Sequence, residues 1–417
     1  MTVKNNSGLN SVFQNFNFSF LNNLIQTTKL KSLSMKKLFT SFLLTASLCL
    51  LFICGSFSQN TSKVYLEDQK IISINEDNNH DLWIGTSDGL YKMNNGAFTM
   101  VPTPAGMEYI TAIFPDKKNN IWIGAYNNGV AKYDGKNWTP YSKKEGVFKN
   151  YFFSSEFFAD TKGNIWFGSQ FSTLMFDGQK WTNFDIGGTG FVLDKKKLGI
   201  HTGFLEDDHG NVYIAGKYLG CYDGKNLKVY NKKNGLAKNV IHSMVKDKDN
   251  NIWLGHYAGL VSKFNGTYFE KIKLGGNYYN YGVFIASCYI GMLPGFILGF
   301  VLPNPNEGCY ILNDSKNHIW AACYGAGGSV FKFQDNEWIK YKKSDGLSKR
   351  KYIRKILEDK TGKIWVIAKK RDISSFNGIE WTNYKKEFNG IVTNLYVDSQ
   401  NNVWFATTKG LVKIENK

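Results

Sequence analysis

The chain has 417 residues, with 51 Lys and Arg against 34 Asp and Glu, a net charge of +17. That sign invites a nucleic-acid reading. However, only Arg350, Arg354 and Arg371 are arginines, and the lysines are spread along the chain rather than gathered in a patch, which points to a solvated basic surface and excludes a nucleic-acid partner.

From the N-terminus, residues 1–34 are Asn-rich, lack acidic residues and show no period, so they read as disordered or as a start placed upstream of the true one. From Met35 the pattern changes. Lys36 and Lys37 precede an apolar run over 38–57, and Ser56 and Ser58 stand like a signal-peptidase site with cleavage before Gln59. Residues 35–58 are therefore expected to be a signal peptide, and the protein to be exported, periplasmic or at the cell surface. Cys54 follows the bulky Ile53, which argues against a lipid anchor. Residues 1–58 hold five lysines and no acid, so the mature chain carries 46 basic against 34 acidic residues, a net charge of +12. Residues 59–417 are enough to bury a large core. Their cysteines, Cys221, Cys288, Cys309 and Cys323, lack C-x-x-C spacing, which argues against a metal site and allows one or two disulfides in an oxidising compartment.

The rest of the chain repeats one unit, seen clearly at Asn251-Ile252-Trp253-Leu254-Gly255. Its centres are Trp83, Trp122, Trp166, Tyr213, Trp253, Trp320, Trp365 and Trp404, with an Asp six residues before each, from Asp77 to Asp398. Successive centres lie 39, 44, 47, 40, 67, 45 and 39 residues apart, the period of four-stranded propeller blades. In each unit an apolar strand ends at the Asp, whose side chain can close a polar turn. A second strand carries the aromatic, followed two residues later by Gly or Ala in seven of eight copies. A third strand leads to a two-residue turn such as Asp134-Gly135 or Asn265-Gly266. A fourth is marked by segments such as Trp138-Thr-Pro-Tyr141. The fold class is all-β: a single propeller of eight four-stranded blades, seven being the alternative count. Because the eighth unit stops after its third strand, Val64 to Leu66 is expected to pair beside Leu411 to Glu415 and close the ring by N-terminal strand exchange.

Stretches such as Asn239 to Phe264 and Asn119 to Gly135 resemble the two-component regulator propeller repeat, and the likeness runs from Ile71 to the C-terminus. The resemblance implies a ligand-binding sensor region, often for oligosaccharides, which in that family precedes an immunoglobulin-like domain, a membrane span and a histidine kinase. This chain stops at Lys417 without them. The expectation is therefore binding without catalysis in cis, feeding a separate membrane sensor, and no cofactor.

Strand alternation puts the Asp turns and the Gly turns on one face, uniform and tight, and the variable loops on the other. The variable loops hold Tyr126, Phe171, Tyr218, His256, Tyr257, Tyr324, Lys369, Lys370 and Arg371. Flat rings can stack on sugars and the basic groups can meet carboxylates or sulfates, so these residues are the candidate ligand site. An insertion over 275–303 lies on the same face, and its apolar core, Tyr281 to Leu302, is long enough for a span but would break the ring if it crossed a membrane. Pro294-Gly295 suggests instead a hairpin that touches a partner or a membrane surface. Two alternatives remain: a cell-envelope interaction scaffold, and a propeller-type polysaccharide lyase using His201, His242 and His256 with Glu156. Asp247 to Asn251 resembles the start of a calcium loop but recurs as a turn in every unit and lacks the distal Glu, so no metal is expected.

Overall fold

The computed structural model describes residues 62–94, 96–126, 128–142, 147, 156–168, 173–184, 186, 203–274, 308–323, 329–347, 353–368, 372–384, 388 and 390–414. Thr61–Asn416 forms one compact unit. It contains eight four-stranded antiparallel sheets, and seven of them run in plain chain order from inner to outer strand. These are blades one to seven, at 71–101, 110–141, 156–184, 203–230, 243–273, 309–341 and 353–383. The eighth, 392–414, takes its outermost strand from Ser62–Tyr65, with Val64 opposite Val412 and Tyr65 opposite Leu411. Ring closure by the N-terminal segment is thus observed. Apart from the strands, the described residues form the 3-10 turns Lys232–Asn234 and Lys343–Asp345.

Eight hydrophobic clusters hold the ring together, each shared between two adjacent blades. Every repeat aromatic faces the following blade: Trp83 packs on Ile113 and Ile121, and Trp404 on Ile71, Leu82 and the closing segment at Tyr65 and Leu66. Burying such rings stabilises the fold by about 1.5 to 3 kcal/mol each. Where the residue two positions on is Gly, the next blade's inner strand crosses close over it, whereas blade seven carries the buried Ile367 there. A Cβ on Gly255 would lie 2.1 Å from the Cys309 carbonyl oxygen, and one on Gly85 2.8 Å from Ile110.

The spaced Asp and Trp turn out to be one hydrogen-bonded device. The Asp Oδ2 accepts the indole N–H at 2.9 Å for Asp77 and Trp83, 3.0 Å for Asp116 and Trp122, and 2.7 Å for Asp247 and Trp253. The third, sixth, seventh and eighth blades repeat it at 2.7–2.9 Å. In the first of these, Asp77 Oδ1 also accepts the backbone N–H groups two and four residues on. In the fourth blade Tyr213 has no indole N–H, and Asp207 serves its turn and Asn211. Lysines over the rings of Trp83, Trp122, Trp253, Trp320 and Trp404, 5.1–5.9 Å from their centroids, place positive charge near the buried carboxylates.

A second device links neighbouring Asp turns. The N–H one residue after the Asp donates to the next blade, either to an Asn three after that blade's Asp or to a Glu just before it. Asn119, Asn250, Asn317 and Asn401 play the first part, accepting at 2.8–3.1 Å. Their φ of 60–65° suits Asn, which tolerates the left-handed region. Glu206, Glu358 and Glu76 play the second, accepting at 2.6–2.8 Å from Thr161, Ser315 and Ser399. Between blades two and three both positions lack an acceptor, being Ala159 and Gly163, and no such clasp forms among the described residues.

One turn expectation needs correction. Tyr133 pairs with Trp138, so Asp134-Gly135 opens a four-residue loop in which the Asp side chain accepts the N–H groups of Lys136 and Asn137. The third, fourth, fifth and seventh blades share this loop. In blade one Asn94 pairs with Ala97, and in blade six Gln334 pairs with Glu337, so these strands are joined by the shorter connection.

Candidate ligand-binding site

On the Asp-turn face the polar groups are occupied by the devices above. A cleft of about 340 Å³ opens there at the closure seam, lined by Glu76, Asp81, Asp398, Gln400 and Trp404 among others. Its lining is already committed: Glu76 holds Ser399 and lies 3.4 Å from His80, Asp81 pairs with Lys92 at 2.8 Å, and Asp398 holds Trp404 and Asn402. The cleft offers a ligand few free partners.

The opposite rim differs. Tyr126 is half-buried in the loop of blade two, its N–H bonded to the Tyr109 carbonyl and its ring 5.5 Å from that of Tyr109. Lys70 donates to the Tyr109 hydroxyl at 3.1 Å, so a basic and aromatic cluster spans blades one and two. Tyr218, also half-buried, lies under the Lys217 ammonium at 5.3 Å. Tyr257 is half-buried and meets the ring of His242 edge-on at 4.1 Å. Phe171, Tyr324, Lys369, Lys370 and Arg371 lie outside the described residues.

His256 belongs to the core. It is fully buried, with Nδ1 bonded to the Val240 carbonyl at 2.9 Å and Nε2 to the Ser262 hydroxyl at 2.8 Å. Burial lowers its pKa to about 4, so the ring is neutral and both nitrogens are used. Its fixed partners leave it no part on the rim surface. His242 is also buried, so closely covered by Gly308 that a Cβ there would stand 2.2 Å from its ring. His201 lies outside the described residues. Among the described residues no group of three or more His, Cys, Asp or Glu is placed to hold a metal ion.

The insertion leaves and returns at one point of this rim. Leu274 donates to the Gly259 carbonyl and Cys309 to the His256 carbonyl, both at 2.8 Å, and Tyr257 bridges to Gly308. Cys309 and Cys323, cross-strand partners, form a disulfide that pins the returning strand, while Cys221 is a free thiol. Cys288 and the stretch Tyr281 to Leu302 lie outside the described residues.

Inward from the rim, the first strands of successive blades line the axis of the ring. The position four residues before each Asp lies on this inner strand, and its side chain can reach the next blade's inner strand: Ser73 bonds the Ile110 carbonyl, and Ser243 bonds Cys309 and Ile311. Two of these eight positions are charged, Glu156 in blade three and Lys355 in blade seven, four blades apart and so on opposite walls. Lys355 donates to Asn394 Oδ1 at 2.6 Å and to the Leu395 carbonyl at 2.8 Å. Glu156 presents an exposed side chain, yet stands deep among the inner strands, the position of a group lining a narrow channel. Desolvation raises its pKa to about 7 against the pull of Lys355, and desolvation lowers Lys355 to about 8 against the pull of Glu156. No direct ion pair joins them. Sequence reading placed Glu156 with the histidines and passed over Lys355; the signal available was that both occupy the same repeat position.

Residues 65–88, 105–127, 235–258 and 386–409 match the two component regulator propeller family, each segment running through an Asp turn and its Trp strand. No curated protein matches the chain. Among solved structures, the chain is similar to a catalytically inactive virginiamycin B lyase from Staphylococcus aureus with quinupristin, at 11% identity over 86% of this chain and 99% of that one, TM-score 0.48. It is similar also to the extracellular domain of a protein described as a one component system from B. thetaiotaomicron, at 19% identity over 84% of this chain and 47% of that one, TM-score 0.44. A third is YCF48 from Cyanidioschyzon merolae, at 10% identity over 85% and 98%, TM-score 0.43.

Proposed function

Because the chain belongs to the two component regulator propeller family, we propose that it is an exported, sensor-like propeller that binds an oligosaccharide on its loop rim without converting it. The observation that carries this reading is the contrast between the faces. Acceptors on the Asp-turn face are consumed within and between blades, whereas Tyr126, Tyr218 and Tyr257 keep part of their rings open beside Lys70 and Lys217. Half-open tyrosines beside ammonium groups suit the flat faces and acidic substituents of a charged glycan. The Cys309–Cys323 disulfide supports an oxidising compartment, and signalling would then pass to a separate membrane sensor.

The test is a thermal-shift screen against neutral and charged oligosaccharides, with product analysis of any hit. A saturable rise in melting temperature without turnover, lost on replacing Tyr126 and Tyr257 by Ala, supports the reading, since a ligand bound only to the folded state stabilises it. A shift that survives those replacements removes the rim from consideration, and turnover of a hit overturns the sensor reading in favour of a lyase. Silence across all sugars favours the scaffold reading, in which the insertion rooted at Leu274 and Gly308 presents the contact, whether to a partner protein or a membrane surface.

A further inference from the structure

Among the described residues, two opposite charges stand without an ion pair on facing walls of the inner channel. The position of Glu156 is also cleared of bulk. Its ladder partner is Gly168, the equivalent residue of the next blade is Gly203, and that of the preceding blade is Ala112. Among the described residues a Cβ added to Gly203 would meet only the Ala215 methyl, at 3.6 Å, so no described side chain crowds the carboxylate from that blade. Among the described residues no donor holds that carboxylate. Across the channel, Lys355 is fixed rather than mobile, since two of its three N–H bonds go to Asn394 and Leu395. The third is left, with a full positive charge that neither neutral acceptor cancels. Flanking it are Tyr310 and Asn394, the equivalent residues of blades six and eight, which add a phenol and an amide to that wall.

Among the described residues neither charge has an opposite charge in contact, and both stand among the inner strands, where solvent only partly compensates them. A direct ion pair would compensate them, but the channel separates them. A molecule with a cation at one end and an anion at the other compensates both at once. We propose that the inner channel is a second binding site, for a small zwitterion such as an amino acid or short peptide, whose ammonium meets Glu156 and whose carboxylate meets Lys355, with Asn394 beside it. The site lies on the inner strands, below the rim, and does not depend on what the rim binds. The raised pKa of the acid and the lowered pKa of the base agree with charges that lack a partner and would gain one on binding.

The two walls are fixed, so the channel should act as a ruler. Titration calorimetry of the folded chain with straight-chain amino acids of increasing length, from glycine to aminohexanoate, and with diglycine, should find one length that saturates most tightly. A diamine or a dicarboxylate of that length should bind more weakly, each being repelled at one wall. Glu156→Gln should weaken the best zwitterion roughly tenfold or more by removing one charge contact. Because the Glu156 carboxylate makes no bond among the described residues, that variant should keep the wild-type melting temperature. Lys355→Met should weaken binding similarly; since Lys355 also ties blades seven and eight, its melt is read first, and the conclusion rests on Glu156→Gln if it unfolds. Replacing Tyr126 and Tyr257 should leave zwitterion binding unchanged, which separates this site from the rim. The proposal is overturned if no member of the series saturates, or if binding is the same in Glu156→Gln as in the wild type.

Discussion

The two faces of the ring are made from the same repeat and use their polar groups in opposite ways. On the Asp-turn face one carboxylate per blade gathers turn N–H groups and, in every blade but the fourth, an indole N–H, and at every junction but that of blades two and three the next turn is tied on by an Asn or a Glu. On the rim the described tyrosines keep partial exposure and lean on neighbours that differ from blade to blade: Tyr109 for Tyr126, Lys217 for Tyr218, His242 for Tyr257. Repetition therefore marks where the structure is held, and its breakdown marks where recognition can be added without cost to the ring. The comparison makes graded demands on mutation.

The largest effect should come from removing Ser62–Leu66, which strips the outer strand from Gly410–Ile414 and uncovers the Trp404 cluster. The expected loss is on the order of 5 kcal/mol, with aggregation through the exposed edge, visible in denaturant unfolding and light scattering. Next, Asp247→Ala should cost about 4 kcal/mol, because it leaves a buried indole and two turn N–H groups without their acceptor. Asp207→Ala should cost distinctly less, since Tyr213 is not tied to it; equal losses would mean that the Asp–indole bond contributes little.

The third effect is pH-dependent. His256 takes up a proton near pH 6.5 in the unfolded chain but only near pH 4 when folded. The folded state thus refuses a proton that the unfolded state binds, so stability falls as pH drops through this window, by up to about 3 kcal/mol. His256→Gln should flatten that part of the stability profile relative to wild type. The smallest structural effect concerns the unclasped junction: Ala159→Glu with Lys117→Ser supplies the missing acceptor and hydroxyl between blades two and three, and should raise stability by about 1 kcal/mol. On the rim, Tyr218→Ala should change stability by no more than about 0.5 kcal/mol.

Much of the fold was legible because it is written eight times. The Asp-to-Trp spacing, the small residue after the ring and the missing fourth strand each had one structural meaning, and each corresponds to a feature of the ring. The spacing also held information that pattern reading left unused. Six residues bring the carboxylate to the indole N–H, and the alternation of Asn after the Asp with Glu before it encodes the clasp, but both require knowing which groups meet across a turn or a blade boundary. The four-residue loops were missed for a similar reason: Asp134-Gly135 looks the same in either loop, and the register of Tyr133 with Trp138 decides. The site was less legible. His256 looked like a surface group because it follows Gly255 in a variable loop, and only the pairing of both nitrogens shows it to be core. Lys355 was invisible as a functional residue, since nothing local distinguishes one lysine among many until its repeat position is compared with that of Glu156.

The measurement that tests the division of labour most directly is amide hydrogen exchange of the folded chain with and without a saturating oligosaccharide from the screen. The account predicts new protection in rim segments such as 105–109, 126–129 and 256–260, with the Asp turns at 77–81, 247–251 and 398–402 already slow to exchange and unchanged. Protection that appears at those turns, with the rim unaffected, would contradict it.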